Sequence, residues 1–304
     1  MAEPQVFGTK DGARIGYRVY GTSDAHLPLV LVNGMSAIMQ DWEELAQSIS
    51  QTRKVVLLDH RGIGASHMSE NEEEDYTIDM MADDVLALLR HLRFQKVDLL
   101  GFSMGGLVVQ AVVTHPDAKP VEGGVVIDGV EVRHVVLSAT FAKMPKSEFK
   151  PKNIPTGKGM SREERNRAVT EFMIKMQYHD AAIGPDGPLA KRASERIDLA
   201  LGTRRPQMVI AQQAGAIAQF DAREGLQRLP RTLPVLIIHG KYDRMVDYGE
   251  AKILEENIPQ AKRHIPSVQG DAEAFGHMWF DYFDLQSAWV RPLTHFLDGP
   301  PAKL

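Results

Sequence analysis

The sequence predicts an α/β protein: a mostly parallel sheet with helices on both faces, interrupted by an all-helical insertion. Three observations predict it. Short, mainly apolar runs at 28–32, 54–58, 97–100 and 234–238, broken only by Lys54 and Asp98, suit strands covered on both sides. Helical spacing separates the first three runs, so strand, helix, strand, helix implies right-handed crossovers and parallel neighbours. Between about residues 141 and 229 the strand runs stop, and helical spacing alone continues until the sheet pattern returns.

Each element follows from local chemistry. Residues 4–20 read as a hairpin about Asp11-Gly12, a turn pair that tolerates left-handed backbone. The run 28–32 ends in Asn33-Gly34-Met35-Ser36, and 42–49 has helical spacing. The run 54–58 ends in Asp59-His60-Arg61-Gly62-Ile63-Gly64-Ala65-Ser66, and the acidic stretch 70–75 reads as a solvated loop. Thr77 can cap a helix over 78–92, where apolar residues recur at three and four. The run 97–100 enters Gly101-Phe102-Ser103-Met104-Gly105, and a helix over 104–113 leaves it. A small β excursion over 121–130, with an Asp-Gly turn, precedes a strand over 133–137.

Pro145, Pro151, Pro155, Gly157 and Gly159 then mark a loop-rich entrance, followed by helical stretches near 163–178, 189–202 and 206–220. The expected organisation is a core of residues 1–140 and 230–304 capped by helices over 141–229. In that cap Met160, Met173, Met176 and Met208 suit either an adaptable apolar pocket or ordinary helix packing. The last strands, 234–238 and 263–265, flank a helix over 251–256. A final helix over 287–297 carries Pro292 as a potential kink.

Composition narrows the function classes. The chain has 304 residues and a net charge of −5, with acidic and basic residues interspersed. No basic stripe suggests nucleic acid, and no polybasic segment suggests an anionic membrane. No cysteine is present, which excludes disulfides, thiolate metal sites and a cysteine nucleophile. No apolar run is long enough to span a bilayer, and the N-terminus lacks the basic and apolar regions of a signal peptide. No His-Glu-x-x-His or carboxylate cluster has ligand spacing, so neither a metal nor another cofactor is expected.

Gly101-x-Ser103-x-Gly105 between a strand and a helix has a specific physical meaning. A sharp strand-to-helix turn strains its central residue, and small flanking residues relieve the crowding and push the hydroxyl out over the sheet. Free N–H groups at the helix start face the same spot. A glycine-rich turn with a solvated serine has the same spelling, so a base and an acid are needed to separate the two. Asp243 and His277 follow the last two sheet strands, giving the order Ser, Asp, His. Asp247 follows the same strand as Asp243 and is the competing acid. His26, His60, His67, His91, His115, His134, His179 and His295 fit surface or packing roles, and His239 and His264 fit structural ones.

With these residues in view, the sequence resembles the α/β-hydrolase superfamily, in its cap-bearing branch of esterases, enol-lactonases and epoxide-hydrolase-like enzymes. The resemblance spans roughly residues 5–298. It rests on Asn33-Gly34-Met35, the segment Asp59 to Ser66, Gly101-Phe102-Ser103-Met104-Gly105-Gly106, His239-Gly240-Lys241-Tyr242-Asp243 and Gly276-His277. It implies Ser103 as nucleophile, His277 as general base and Asp243 as the acid that orients it. It also implies an oxyanion hole from the N–H groups of Met35 and Met104. Gly34, Ser36, Phe102, Met173, Met176 and Met278 are the expected substrate-binding residues.

Two departures matter. Asn33-Gly34 stands where the family often has His-Gly. Serine stands where dehalogenases and epoxide hydrolases of this fold use aspartate, which points to acyl chemistry. The expected function is therefore hydrolysis of a small or medium apolar carboxylic ester or lactone through an acyl-enzyme. The same triad also serves carbon–carbon cleavage, lyase or acyl-transfer chemistry, and a non-catalytic binding protein can keep the pocket. The oligomeric state is not encoded legibly. The final Ala302-Lys303-Leu304 resembles the C-terminal Ser-Lys-Leu signal, so the expected address is peroxisomal in a eukaryote and cytoplasmic otherwise.

Overall fold

Ten strands join in one mixed sheet in a computed structural model that describes residues 3–69, 76–145 and 147–299. The acidic stretch 70–75 and the tail Ala302-Lys303-Leu304 lie outside the described residues. In chain order the strands are β1 (Gln5–Gly8), β2 (Arg14–Tyr20), β3 (Leu29–Val32), β4 (Val55–Leu58), β5 (Lys96–Phe102), β6 (Lys119–Val121), β7 (Gly124–Ile127), β8 (Val130–Ser138), β9 (Val235–Ile238) and β10 (Lys262–Arg263). The helices are α1 (Glu43–Ile49), α2 (Ile78–His91), α3 (Met104–Val113), α4 (Arg162–Lys175), α5 (Asp180–Ile183), α6 (Ala190–Leu201), α7 (Gln207–Gln219), α8 (Arg223–Gln227), α9 (Gly249–Asn257) and α10 (Arg291–Asp298).

The centre runs β4-β3-β5-β8-β9-β10 with every neighbour parallel. The hairpin β1–β2 adds antiparallel at the β4 edge. The hairpin β6–β7 pairs with the first half of β8, and β9 pairs with the second half of the same strand. This is the mostly parallel sheet expected from the strand pattern, and the excursion over 121–130 is the hairpin joining β8. Asp128 and Gly129 both take positive φ (55° and 80°), the geometry of a tight turn between paired strands.

Residues alternate between the two faces of the central strands. Val30, Val32, Val56, Leu58 and Leu99 enter one core cluster with α2 and α3, and Leu29, Leu31, Val55, Leu57 and Leu100 enter the other with α1 and α10. Helix α3 is buried along its whole length, as its almost unbroken apolar sequence demands. Thr77 caps α2 by accepting from the Met80 N–H at 3.0 Å. The C-terminal helix differs in detail: residues Leu285–Val290 form a wider π-type turn that runs directly into α10, and Pro292 lies at that junction. Between residues 141 and 229 the described regular structure is helical, with α5 and α8 added to the three expected helices. No described helix is long and apolar enough to cross a membrane.

The turn after β4 is built on a buried carboxylate. Asp59 accepts from the Met39 N–H at 2.7 Å and the Ala65 N–H at 2.8 Å, joining the ends of β3 and β4. Burial pushes its pKa up to about 6, against those two hydrogen bonds. A carboxyl whose folded pKa exceeds its unfolded value, about 4, stabilises the fold fully only below the unfolded value. That contribution is lost as pH rises through about 6. The unfolding free energy of the wild type minus that of Asp59→Asn should therefore fall by roughly 2–3 kcal/mol between about pH 4 and pH 7. Urea unfolding at several pH values measures it, and a flat difference would contradict the account.

Candidate active site

The carboxyl ends of β3, β5 and β9 meet at one place. Ser103 sits between β5 and α3 with φ 52° and ψ −121°, a left-handed backbone that a serine adopts only under constraint. Three hydrogen bonds impose it. The Ser103 N–H donates to the Ser138 carbonyl at 2.9 Å, and the Ser103 carbonyl accepts from the Gly106 N–H at 2.9 Å and from Thr140 Oγ1 at 2.6 Å. Close packing completes the constraint: a Cβ on Gly105 would lie 2.0 Å from the Val32 carbonyl oxygen, so α3 starts directly against β3.

Asp243 and His277 come from separate loops that are tied together first. The Lys241 N–H donates to the Glu273 carbonyl at 2.8 Å, and the Tyr242 N–H donates to the Phe275 carbonyl at 3.0 Å. A Cβ on Gly240 would fall 1.9 Å from the Phe275 oxygen, so only glycine permits this approach. His277 Nδ1 then pairs with Asp243 Oδ2 at 2.7 Å, and both side chains are buried. The other Asp243 oxygen accepts from the Met245 and Val246 N–H groups, each at 2.9 Å. His239 Nε2 lies 3.4 Å from Asp243 Oδ2. Burial by itself would raise the Asp243 pKa. Electrostatic attraction to His277 and the hydrogen bonds from His239 and His277 outweigh burial and hold the carboxyl well below the usual carboxylate range.

The Phe102 ring lies 4.7 Å from the His277 ring, which brings the imidazole to the residue next to Ser103. Ser103 Oγ makes no hydrogen bond to His277; the pair that the structure joins is Asp243–His277. Asp247 is not part of it, since its Oδ1 accepts from the Gly249 N–H at the start of α9. His60, one of the competing histidines, is buried and lies 2.8 Å through Nε2 from the Asn33 carbonyl, and burial pushes its pKa down to about 4. His134 pairs with Asp98, and His264 reaches the Ala288 carbonyl.

The turn that holds Met35 lies against the elbow. A Cβ on Gly34 would sit 2.9 Å from the Phe102 ring and 3.3 Å from Ser103 Cβ. Asn33, the departure noted above, uses its amide nitrogen to donate to the Leu58 carbonyl at 2.7 Å and so ties this turn to the end of β4. The Ala37 N–H closes the turn on the Gly34 carbonyl at 3.2 Å. Met104 is the first residue of α3, so its N–H has no carbonyl one helical turn back.

The other expected substrate-binding residues are spread wider. Met278 is buried in the cluster with Phe102 and Trp279, and its N–H reaches the Gln177 carbonyl. Met176 is buried and Met173 half-buried at the end of α4, while Ser36 is half-buried beside Met35. Met208 and Met160 do not line an enclosed space: they are 74% and 49% exposed. The buried face of α7 carries Val209, Gln213 and Ala216, and Met208 is rotated off it.

Sequence reading missed the polar straps between the helical segment and the sheet. Arg205 Nη1 donates to the Ser36 carbonyl at 3.0 Å, and Gln213 Oε1 accepts from the Ser36 N–H at 2.9 Å. Arg204 donates to the Gly62 and Ser66 carbonyls. Arg196 grips the buried Asp281, which also accepts from Tyr178. A Thr140 at the end of β8 and a second histidine on Asp243 were also invisible, because hydroxyls and imidazoles at strand ends have no distinctive spacing. Among the described residues no cluster of three His, Asp or Glu side chains could hold a metal.

Comparison with known proteins agrees with the fold. A model of the α/β-hydrolase fold matches residues 28–279. The 3-oxoadipate enol-lactonase 2 of Acinetobacter baylyi is 24% identical over 275 residues, which cover 88% of this chain and 92% of that protein. A bifunctional esterase/perhydrolase of Acinetobacter calcoaceticus is 30% identical over 252 residues, 79% of this chain and 82% of its own. The crystal structure of the enol-lactonase from Burkholderia xenovorans LB400 matches with a TM-score of 0.71 at 20% identity, over 94% of this chain and 97% of that one.

The elbow packing makes a direct prediction. Gly105→Ala places a methyl group 2.0 Å from the Val32 carbonyl oxygen and should destabilise the fold by roughly 1–3 kcal/mol or more, the range for forced overpacking. Chemical denaturation checks it; a loss under about 0.5 kcal/mol would mean that α3 is free to shift.

Proposed function

The chain belongs to the α/β-hydrolase fold family, and from that premise we propose that it is a serine hydrolase of small or medium, apolar carboxylic esters or lactones. The observation that carries the proposal is the buried Asp243–His277 pair beside a serine held in left-handed backbone. A serine hydroxyl is a poor nucleophile at neutral pH and needs a positioned base. With Nδ1–H donating to Asp243, His277 keeps the lone pair of Nε2 for that task. The low Asp243 pKa keeps the carboxylate ionised, so it stabilises the imidazolium that forms.

The reaction then follows in two halves. Ser103 Oγ bonds to the acyl carbon as its proton passes to His277. The N–H groups of Met35 and Met104 take the charge on the carbonyl oxygen, a contribution of several kcal/mol in comparable sites, roughly 3–4 for one donor. The alcohol, or the ring oxygen of a lactone, leaves with the proton from His277. Water gives a proton to His277 and attacks the acyl-enzyme, and His277 returns that proton to Ser103 Oγ as the acid leaves. Phe102, Met278, Gly34 and Ser36 give the acyl group a mainly apolar setting. Residues 141–229 form the cap over this site, and Met173 and Met176 bring its α4 end to the substrate.

Ser103→Ala should retain the fold and lose p-nitrophenyl ester turnover by a factor on the order of 10⁴ or more. Retention of more than about a tenth of the wild-type rate would overturn the nucleophile assignment. Asp243→Asn leaves His277 in the wrong tautomer and should cost on the order of 10²–10⁴ in kcat. Asp247→Asn should stay within about threefold, because that carboxylate only caps α9. The reverse ranking would make Asp247 the orienting acid.

A further inference from the structure

His239 follows β9 at the entrance to the Asp243 loop, and its side chain is fully buried. Its Nε2 faces two oxygens, the Val246 carbonyl at 3.1 Å and Asp243 Oδ2 at 3.4 Å. A nitrogen lone pair would be repelled by both, so Nε2 carries the proton. Nδ1 has no partner among the described residues. It suits the lone pair, because a proton there would be a second buried donor left unmade. The Val246 carbonyl takes the hydrogen bond, and Asp243 Oδ2, slightly farther off, meets the positive end of the same N–H.

Four N–H groups therefore converge on one carboxylate. Those of Met245 and Val246 donate to Oδ1, and His277 and His239 share Oδ2. Each positive end that faces the carboxylate offsets part of its charge, and only the remainder holds a proton on His277. The other charged groups nearby are already paired. Lys241 meets Asp271 and Glu273, Arg244 meets Asp180 and Glu148, and Asp247 caps α9. Asp281, in the turn after His277, is paired with Arg196 and Arg192. Burial pushes the Tyr282 phenol, near Asp243, up to about 12. It also raises Tyr248, whose ring meets the His239 ring edge-on at 6.2 Å. Neither phenol ionises near neutral pH.

We propose that His239 is a positioning residue: its Nε2–H shares Asp243 Oδ2 with His277 and so limits the charge that the carboxylate lends to the base. The inference rests on the reading of Asp243 and His277 as acid and base, and His239 acts through Asp243 rather than on the substrate. With the His239 N–H in place, His277 releases its proton at a lower pH and stands as a free base over a wider range. Without it, Oδ2 would present its charge to His277 alone and hold the imidazolium to a higher pH. Loosening of the Asp243–His277 contact has the opposite sign, since a weaker contact releases that proton at a lower pH. Loss of charge sharing and loss of mere structural support therefore move the acid side of the pH profile in opposite directions.

The test uses the full chain with a p-nitrophenyl ester, following kcat/KM from about pH 5 to 9. His239→Met fills the space without a donor, and His239→Gln can return an N–H to the place of Nε2. In His239→Met the acid limb should move up by roughly 0.5–1 pH unit, the weight of one modest hydrogen bond. In His239→Gln it should return at least halfway to the wild-type position. An unmoved or downward limb in His239→Met, or a limb in His239→Gln as far up as in His239→Met, would overturn the inference while leaving the proposed function intact. Imidazole NMR of the wild-type chain keeps the question open to refutation if His239→Met fails to fold. At about pH 7 His239 should carry a proton on Nε2 and none on Nδ1. Its Nε2–H resonance should shift with the midpoint of the acid limb. A proton on Nδ1, or a resonance that ignores that midpoint, would overturn the inference as well. Absence of Ser103-dependent turnover in the wild-type chain would overturn the proposed function itself, and this inference with it.

Discussion

Everything near the site depends on one backbone torsion, the φ of 52° at Ser103. A left-handed serine costs on the order of 1–3 kcal/mol, and it persists only where its surroundings leave no alternative. Here the alternatives are closed by hydrogen bonds from β8 and its following residues and by the absence of a side chain at Gly105. The cost is small beside the burial around it. Each buried Val or Leu of β3, β5 and α3 contributes roughly 1.5–3 kcal/mol, so one or two such residues offset the strain. The fully apolar character of α3 thus does more than fill a core: it presses the helix start against β3 and holds the serine where an unstrained turn would not.

The same logic brings the acid and the base together. Neither Asp243 nor His277 lies in a strand, and loops alone would leave their separation undefined. Backbone hydrogen bonds between the two loops, together with the contact that glycine permits at position 240, define it before either side chain contributes. The 2.7 Å contact is then inherited from main-chain geometry. Burial around it removes water that would compete for Asp243, and two main-chain N–H groups satisfy its remaining oxygen.

Most of this was legible in the sequence because it is written in short-range patterns. Mainly apolar runs identify parallel strands, and Gly-x-Ser-x-Gly between a strand and a helix identifies an elbow, since both reflect constraints acting within a few residues. The hairpin over 121–130 was legible for the same reason: its Asp-Gly turn carries its own backbone preference. Asn33 was visible as a departure, but its compensating bond to Leu58 was not, because it spans two strands distant in sequence. Gln213, Arg205 and Arg196 were illegible for that reason too. A glutamine or arginine in a helix is ordinarily a solvated residue, and nothing local marks the one whose partner lies 85 to 177 residues away. Met208 shows the converse: its chemistry suited a pocket, but helical phase set it one step off the buried face.

These long-range bonds divide the helical segment energetically. Around α6 and α7 the contacts to the rest of the fold include two ion pairs and a buried amide: Arg196 with Asp281, Arg205 with Asp41, Gln213 with Ser36. Separating a buried pair leaves an uncompensated charge, at about 3–5 kcal/mol when one partner is lost. Helix α4 is held differently. None of its residues is fully buried, and its ion pairs at Glu171 lie within the helix and in solvent. Exposed pairs of that kind contribute well under about 1 kcal/mol. The helical segment is therefore attached to the rest of the fold most strongly at α6 and α7 and least strongly at α4.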